Sequence, residues 1–290
     1  NLNNAVWPVD NMEPVLTKGS GEVATIANLR SVEPAQDGQQ ISLLGHTLPG
    51  LGGGTFYFDE SDTTSADNNG TIIVTTEGKR WKRPNIETIF LSMFGGIPDG
   101  VTDSTAEAQA AEDFVSTSEV TNKLVYDGNF AVQTLRPRSN VNHYGGTLTG
   151  LNSRLFLADS DFNGSSWKDV LFVTEIADAA VLLIDDPYNT QDITFSDNIS
   201  IGYATNVSAR SSSSLRAIIK NNRMFDAVTS ANIFWAIYLQ SDITSTDLSV
   251  VSGNIIDNVS AGILAADKAS ISNNIIDIQD YAGTGSHGIY

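Results

Sequence analysis

The tetrapeptide Asn254-Ile255-Ile256-Asp257 returns twenty residues later as Asn274-Ile275-Ile276-Asp277, and Arg223-Met224-Phe225-Asp226 has the same polar–apolar–apolar–Asp form. Each copy is associated with a polar pair: Asn221-Asn222, Ser252-Gly253 and Ser272-Asn273. A second short strand recurs in parallel with the first: Ala236-Ile237-Tyr238, Gly262-Ile263-Leu264 and Gly288-Ile289-Tyr290. The spacings are 31 and 20 residues for the first series and 26 and 26 for the second. Constant strands at uneven spacing fit solenoid coils joined by loops of variable length. Ile193-Thr194-Phe195-Ser196-Asp197-Asn198-Ile199 and Trp167-Lys168-Asp169-Val170-Leu171-Phe172 read as earlier coils. The expected fold is therefore all-β: a right-handed parallel β-helix over 120–290. The last repeat stops in mid-strand at Tyr290, so that helix is expected to be incomplete at its C-terminal end.

Upstream, residues 94–114 read FGGIPDGVTDSTAEAQAAEDF. Asp99-Gly100 is a turn dipeptide. Ser104-Thr105-Ala106-Glu107 has capping-box spacing, and Asp103 offers a second N-cap oxygen. The predicted helix runs from Thr105 to about Ser116, with Ala106, Ala110 and Phe114 as its apolar stripe. Such a helix suits a lid over the first coil, whose backbone groups would otherwise be unpaired. Residues 85–119 are assigned as a neck and capping helix.

Residues 41–83 read ISLLGHTLPGLGGGTFYFDESDTTSADNNGTIIVTTEGKRWKR. Strands are predicted at Ile41–Leu44, Phe56–Phe58 and Thr71–Thr75, with Trp81-Lys82-Arg83-Pro84 closing a small β domain over 21–84; residues 21–29 suit a short supporting helix. The Gly52-Gly53-Gly54 run leads into a strand and is not a phosphate cradle. Residues 1–20, with Trp7-Pro8-Val9 and Glu13-Pro14-Val15, read as an extended arm or linker.

A formal charge of −18 excludes a phosphate backbone as a natural partner. The chain has no cysteine, so disulfide and zinc-thiolate chemistry are out of reach. No apolar run approaches the ~20 residues of a membrane span. No signal peptide is visible, and a start at Asn1 without Met suggests a longer or processed protein.

Stacking places equivalent residues of adjacent coils about 4.8 Å apart. Asp226, Asp257 and Asp277 would then form a carboxylate ladder near the ~5–5.5 Å of a retaining glycosidase pair. Close like charges raise one pKa, as a general acid requires. The alternative is solvated turn aspartates bonded to local backbone. Phe234, Tyr238 and Tyr290 are expected to point outward, as sugar-stacking platforms or as a subunit contact. Asp185-Asp186 and Ser286-His287-Gly288 invite comparison with polygalacturonase-like enzymes, but lie roughly four coils, or ~19 Å, apart, too far for proton transfer. His287 is better read as equivalent to Ala261 and Trp235. His46 and His143 have no partners at metal-ligand spacing and read as structural; no cofactor or metal site is expected.

Gly45-His46-Thr47, Gly52-Gly53-Gly54, the Asp59–Asn69 loop and Arg80-Trp81-Lys82-Arg83 resemble the particle-proximal module of bacteriophage tailspikes and capsule depolymerases. Gly95-Gly96-Ile97-Pro98-Asp99-Gly100-Val101-Thr102-Asp103 resembles the opening of a pectate-lyase-like β-helix, with Ile97-Pro98 in place of the usual small pair. The resemblance covers about residues 21–115. It implies a homotrimer on the phage tail, attached to tail or baseplate proteins, that binds and often cleaves a bacterial capsule, O-antigen or exopolysaccharide. The carboxylate ladder and aromatic strand favour a glycoside hydrolase over a polysaccharide lyase, a non-enzymatic adhesin stays open, and the particle-proximal module disfavours a secreted bacterial enzyme. The resemblance assigns no catalytic residue.

Overall fold

The computed structural model describes residues 21–84, 86–185, 188, 190–211, 215–227, 235–241, 248–259, 261–265, 269–278 and 287–289; the predicted arm, 1–20, lies outside them. The chain divides into two compact units, Asn1–Pro84 and Asn85–Tyr290.

In the first unit a five-stranded sheet has the order Gly21–Val23, Gln40–Leu43, Gly54–Phe58, Arg80–Lys82, Ile72–Val74. Its first pair is parallel and the others antiparallel. Residues 21–23 are thus a strand rather than the start of a helix, and the helix is confined to Ile26–Arg30. Thr25 caps it by accepting the Asn28 N–H. Alternation along the strands sends Ile41, Leu43, Phe56, Phe58, Ile73 and Trp81 into one core. The Trp81 indole N–H is satisfied by Val32 O at 2.9 Å. The edge strand is protected locally: Asn68 Oδ1 accepts the Ile72 N–H and Asp67 Oδ2 the Val74 N–H. The glycine run serves an arginine. Arg83 is buried, lies 4.6 Å over the Phe56 ring, and donates to the carbonyls of Gly52, Gly53 and Gly70. A Cβ at Gly53 would stand 2.6 Å from Leu44 O, so only glycine lets the carbonyls converge there.

The second unit is a right-handed parallel β-helix with three sheets. The first sheet stacks residues 89–90, 123–125, 142–144, 166–168, 190–196, 215–220, 249–252 and 269–272. The second stacks 99–103, 129–132, 147–150, 171–173, 199–201, 223–225, 255–259 and 275–278. The third stacks 154–157, 180–184, 205–211, 235–241, 261–265 and 287–289. From the third coil on, the turn between first and second sheets carries a left-handed residue: Gly145 (with Gly146), Asp169, Asp197, Asn221, Gly253 and Asn273, with φ of 56–68°. Gly, Asn and Asp tolerate that region and larger residues do not.

The residue after this turn points inward and builds a ladder. Asn198, Asn222, Asn254 and Asn274 stack on successive coils although separated by 24, 32 and 20 residues. Each Oδ1 below Asn198 accepts both the backbone and side-chain N–H of the asparagine before it, at 2.9–3.1 Å. Each Nδ2 also donates to a carbonyl of the preceding coil. Apolar columns fill the remaining interior, such as Phe156, Leu182, Val207, Ile237 and Ile263 in the third sheet.

The lid helix spans Thr105–Thr117. Its buried face is Ala108, Ala111, Glu112 and Val115; Ala106 is exposed, and Ala110 and Phe114 are partly covered. Phe114 meets Phe94 at the rim, with centroids 5.9 Å apart. The expected stripe is therefore displaced around the helix. Ser104 makes no side-chain cap; its Oγ accepts the Ile97 N–H, and Asp103 Oδ1 takes the Thr105 N–H at 3.0 Å.

Candidate functional site

The ladder sets the register of the acidic candidates. Arg223 pairs with Ile255 and Met224 with Ile256, so Asp226 stands opposite Asn258, whose Nδ2 donates to Asp226 Oδ1 at 3.2 Å. Asp257 and Asp277 follow the paired Ile256 and Ile276 on successive coils, but the register shifts at once, because Asp257 and Asn258 together span the place of Asp277 before Val259 pairs with Ile278. The expected three-rung carboxylate series is thus interrupted, with Asp226 one residue out of step with Asp257 and a bulge between Asp257 and Asp277. The slip arose from aligning Arg223 with Asn254; Asn222 is the true equivalent of Asn254. All three carboxylates are exposed, and Asp226 sits at φ 51° in a left-handed turn.

Phe234 and Tyr290 lie outside the described residues. Tyr238 projects outward from the third sheet, half-buried, with its hydroxyl donated to Gln240 Oε1. It belongs to an outward column with Leu157, Leu183, Ser208 and Leu264. Asp186 and Ser286 also lie outside the described residues, while His287 stands in register with Ala261, and Ala261 with Trp235.

The outward face of the second sheet carries Leu171, Val173, Ile199, Ile201, Ile255 and Ile275, interrupted by Arg223. Ile199, Ile201 and Ile275 are 38%, 36% and 64% exposed, which makes this face an apolar stripe on either side of Arg223.

One polar cluster escaped the sequence reading. Glu112, on the buried face of the lid, reaches His143 inside the solenoid: Oε2 to Nε2 is 3.4 Å. Glu112 Oε1 accepts the Arg138 N–H at 2.9 Å, and the Tyr126 hydroxyl lies 2.7 Å from His143 Nδ1. The imidazole stacks on Trp167, centroids 4.8 Å apart and planes 4° from parallel. Burial pushes the Glu112 carboxyl up to about 8 and the His143 imidazole down to about 3. Both are therefore held neutral, as a pair withdrawn from solvent. No reactive role follows from groups a substrate cannot reach; the cluster ties lid to solenoid. A charged residue in a helix reads as solvent-facing, and only the partner column on the first sheet reveals it.

Residues 22–87 match the family of phage tail protein small four-stranded beta-sheet domains. By sequence the chain is 34% identical over 91 residues to a "Depolymerase, capsule K2-specific" of Klebsiella phage vB_KpnP_KpV74, covering 31% of this chain and 16% of that protein. It is 35% identical over 103 residues to the Mu-like prophage FluMu defective tail fiber protein of Haemophilus influenzae, covering 34% and 16%. By fold it is similar to the Acinetobacter baumannii phage AM24 tailspike, with TM-score 0.59 and 18% identity, covering 92% of this chain and 54% of that one. It is also similar to Pantoea stewartii WceF, a glycan biofilm modifying enzyme with a tailspike-like β-helix, with TM-score 0.56 and 13% identity, covering 90% and 48%. The matched regions thus span about half of those structures and a sixth of the curated relatives. With a phage-tail β-sheet domain by sequence and a lidded parallel β-helix by fold, the chain resembles phage tailspikes and capsule depolymerases.

Proposed function

We propose that the chain is the virion-proximal part of a phage tailspike that recognises and depolymerises a bacterial surface polysaccharide, capsule or O-antigen, during adsorption. One observation carries the reading: a phage-tail β-sheet domain precedes a tailspike-like β-helix in the same chain. The β-helix alone would suit a bacterial glycan enzyme equally, since WceF shares it; the N-terminal domain favours the virion tail, with tail or baseplate proteins as its neighbours. Asp257 and Asp277 are the proposed acid and nucleophile of a glycoside hydrolase, and Tyr238 a sugar contact. Phe234, Tyr290 and Asp226 remain candidates for glycan contact and for a supporting charge. The apolar stripe on the second sheet suits contact with two further copies in a homotrimer.

Incubating the chain with purified surface polysaccharides tests the activity. Depolymerisation with new reducing ends supports a hydrolase, and an ultraviolet-absorbing unsaturated uronate a lyase. Saturable binding without product supports the second reading, an adhesin, which the exposed, solvated setting of all three candidate aspartates favours.

A further inference from the structure

We infer that the outward face of the first β-helix sheet is a recognition surface for an acidic polysaccharide, one bearing carboxylates along its chain. This rests on the glycan-binding reading above and names the chemical class of the glycan. Inward positions on this sheet are Leu124, His143, Trp167, Phe195, Ile219 and Val251, all essentially buried, so the residues between them face outward. One outward column runs Val125, Tyr144, Lys168, Ser196, Lys220, Ser252, with Ser196 buried between the exposed Lys168 and Lys220. Its neighbour runs Lys123, Asn142, Ser166, Thr194, Ile218, Val250, Ser270, polar beside Lys168 and apolar beside Lys220. Every described lysine of the β-helix, Lys123, Lys168 and Lys220, therefore stands on this one face.

The chain carries −18, with more than two acids for each base. In such a chain a lysine is expected to find a carboxylate. Among the described β-helix arginines, Arg136, Arg138 and Arg216 do so, and Arg154 and Arg223 do not. Among the described residues none of the three lysines has a carboxylate oxygen within 4.0 Å. The acids of the neighbourhood are otherwise occupied or set aside: Asp192 is paired with Arg216, Asp197 accepts from Asn221 Nδ2, and Asp169 lies in the turn at the sheet margin. Lys123 Nζ instead lies 5.1 Å over the Tyr144 ring.

Lys168 and Lys220 occupy the same column two coils apart, about 9.6 Å. That is about the length of two linked pyranose rings, so a carboxylate on alternate sugars would meet each ammonium. Asn142, Ser166, Thr194 and Ser252 line the same strip with hydroxyl and amide groups suited to sugar hydroxyls, and Tyr144 adds an aromatic ring. A neutral glycan would not need these cations, and an acidic one could not approach so negative a chain without them.

The test measures binding of the full chain to a panel of capsular polysaccharides from typed Klebsiella and Acinetobacter strains, some uronate-bearing and some neutral. Any bound uronate polymer is then re-measured after chemical reduction of its carboxyls to alcohols, which keeps the linkages. Expected are binding to a uronate-bearing polymer, roughly 10-fold or greater loss on carboxyl reduction, a comparable loss for the Lys168→Ser/Lys220→Ser variant, and weakening with salt. Equal affinity for the reduced polymer, or preference for a neutral one, overturns the inference and leaves the tailspike reading standing. Undiminished acidic binding by the double variant overturns the assignment to this face. A variant that changes sedimentation rather than glycan affinity makes the face a contact between copies, and also overturns it. No binding to any polymer by the wild-type chain removes both readings together.

Discussion

Replacing Asn222 with alanine removes the middle of the asparagine ladder, and the hydrogen bonds define the cost. The Asn198 backbone N–H, buried, loses its acceptor, Asn222 Oδ1 at 3.0 Å. Asn198 Nδ2 loses one of two acceptors but keeps Trp167 O. The Phe195 carbonyl loses the Nδ2 donor at 2.9 Å. Asn254 Oδ1 loses one donor but keeps the Asn222 backbone N–H, which the substitution leaves in place. Two groups are thus left without the partner the ladder supplied, at ~1–3 kcal/mol each, and two are weakened. The cavity left by the amide adds to this, for a total of about 3–5 kcal/mol. Asn274→Ala, at a half-buried position, should cost about half as much, and Ser270→Ala, on the exposed face, about nothing. Solenoids of this size tend to unfold irreversibly, so the measurement is the unfolding half-life in denaturant across the three variants, with circular dichroism as readout. Equal half-lives for Asn222→Ala and Ser270→Ala would refute the ladder as a source of stability.

The Glu112–His143 pair makes stability depend on pH from both sides. Glu112 is raised above its ordinary value, so its favourable contribution is complete below about 4.5 and is lost as pH rises through about 8. His143 is depressed, so its contribution is complete above about 6.5 and is lost as pH falls through about 3. Glu112→Gln, which retains an acceptor for the Arg138 N–H, should flatten the alkaline limb of a thermal-melt series and leave the acid limb. Arg83→Met should cost about 2–4 kcal/mol by stranding the carbonyls that the guanidinium gathers, seen as early proteolysis within Gly50–Gly54. An Ile199→Glu/Ile275→Glu variant should sediment as a monomer under conditions where the unaltered chain is a trimer; an unchanged mass would place the subunit contact elsewhere.

Much of the solenoid was legible because its turn is chemically restrictive. Asp169, Asp197, Asn221 and Asn273 announce a left-handed residue, and the Ile237, Ile263, Ile289 column was assigned in its observed register. The carboxylate series was misaligned because Asn221-Asn222 offers two asparagines, and only the inward one joins the ladder. Spacing alone does not say which. The lid was placed correctly but its face was not, since a helix of alanines has several candidate stripes and the true one includes a glutamate. Glu112 was invisible because its partner, His143, lies 31 residues on, and that histidine shows no partner at any motif spacing. The lysine face was equally hidden: Lys123, Lys168 and Lys220 share no motif, and only strand pairing gathers them.

Asparagines of the ladder meet at the same hydrogen-bond distances whether 20, 24 or 32 residues of chain intervene. The interior therefore does not record how much chain each coil carries on its flank. Insertions, deletions or exchanges confined to those excursions leave the stacking free energy unaltered, so the outer decoration of such a solenoid can be revised while its spine is inherited unmodified.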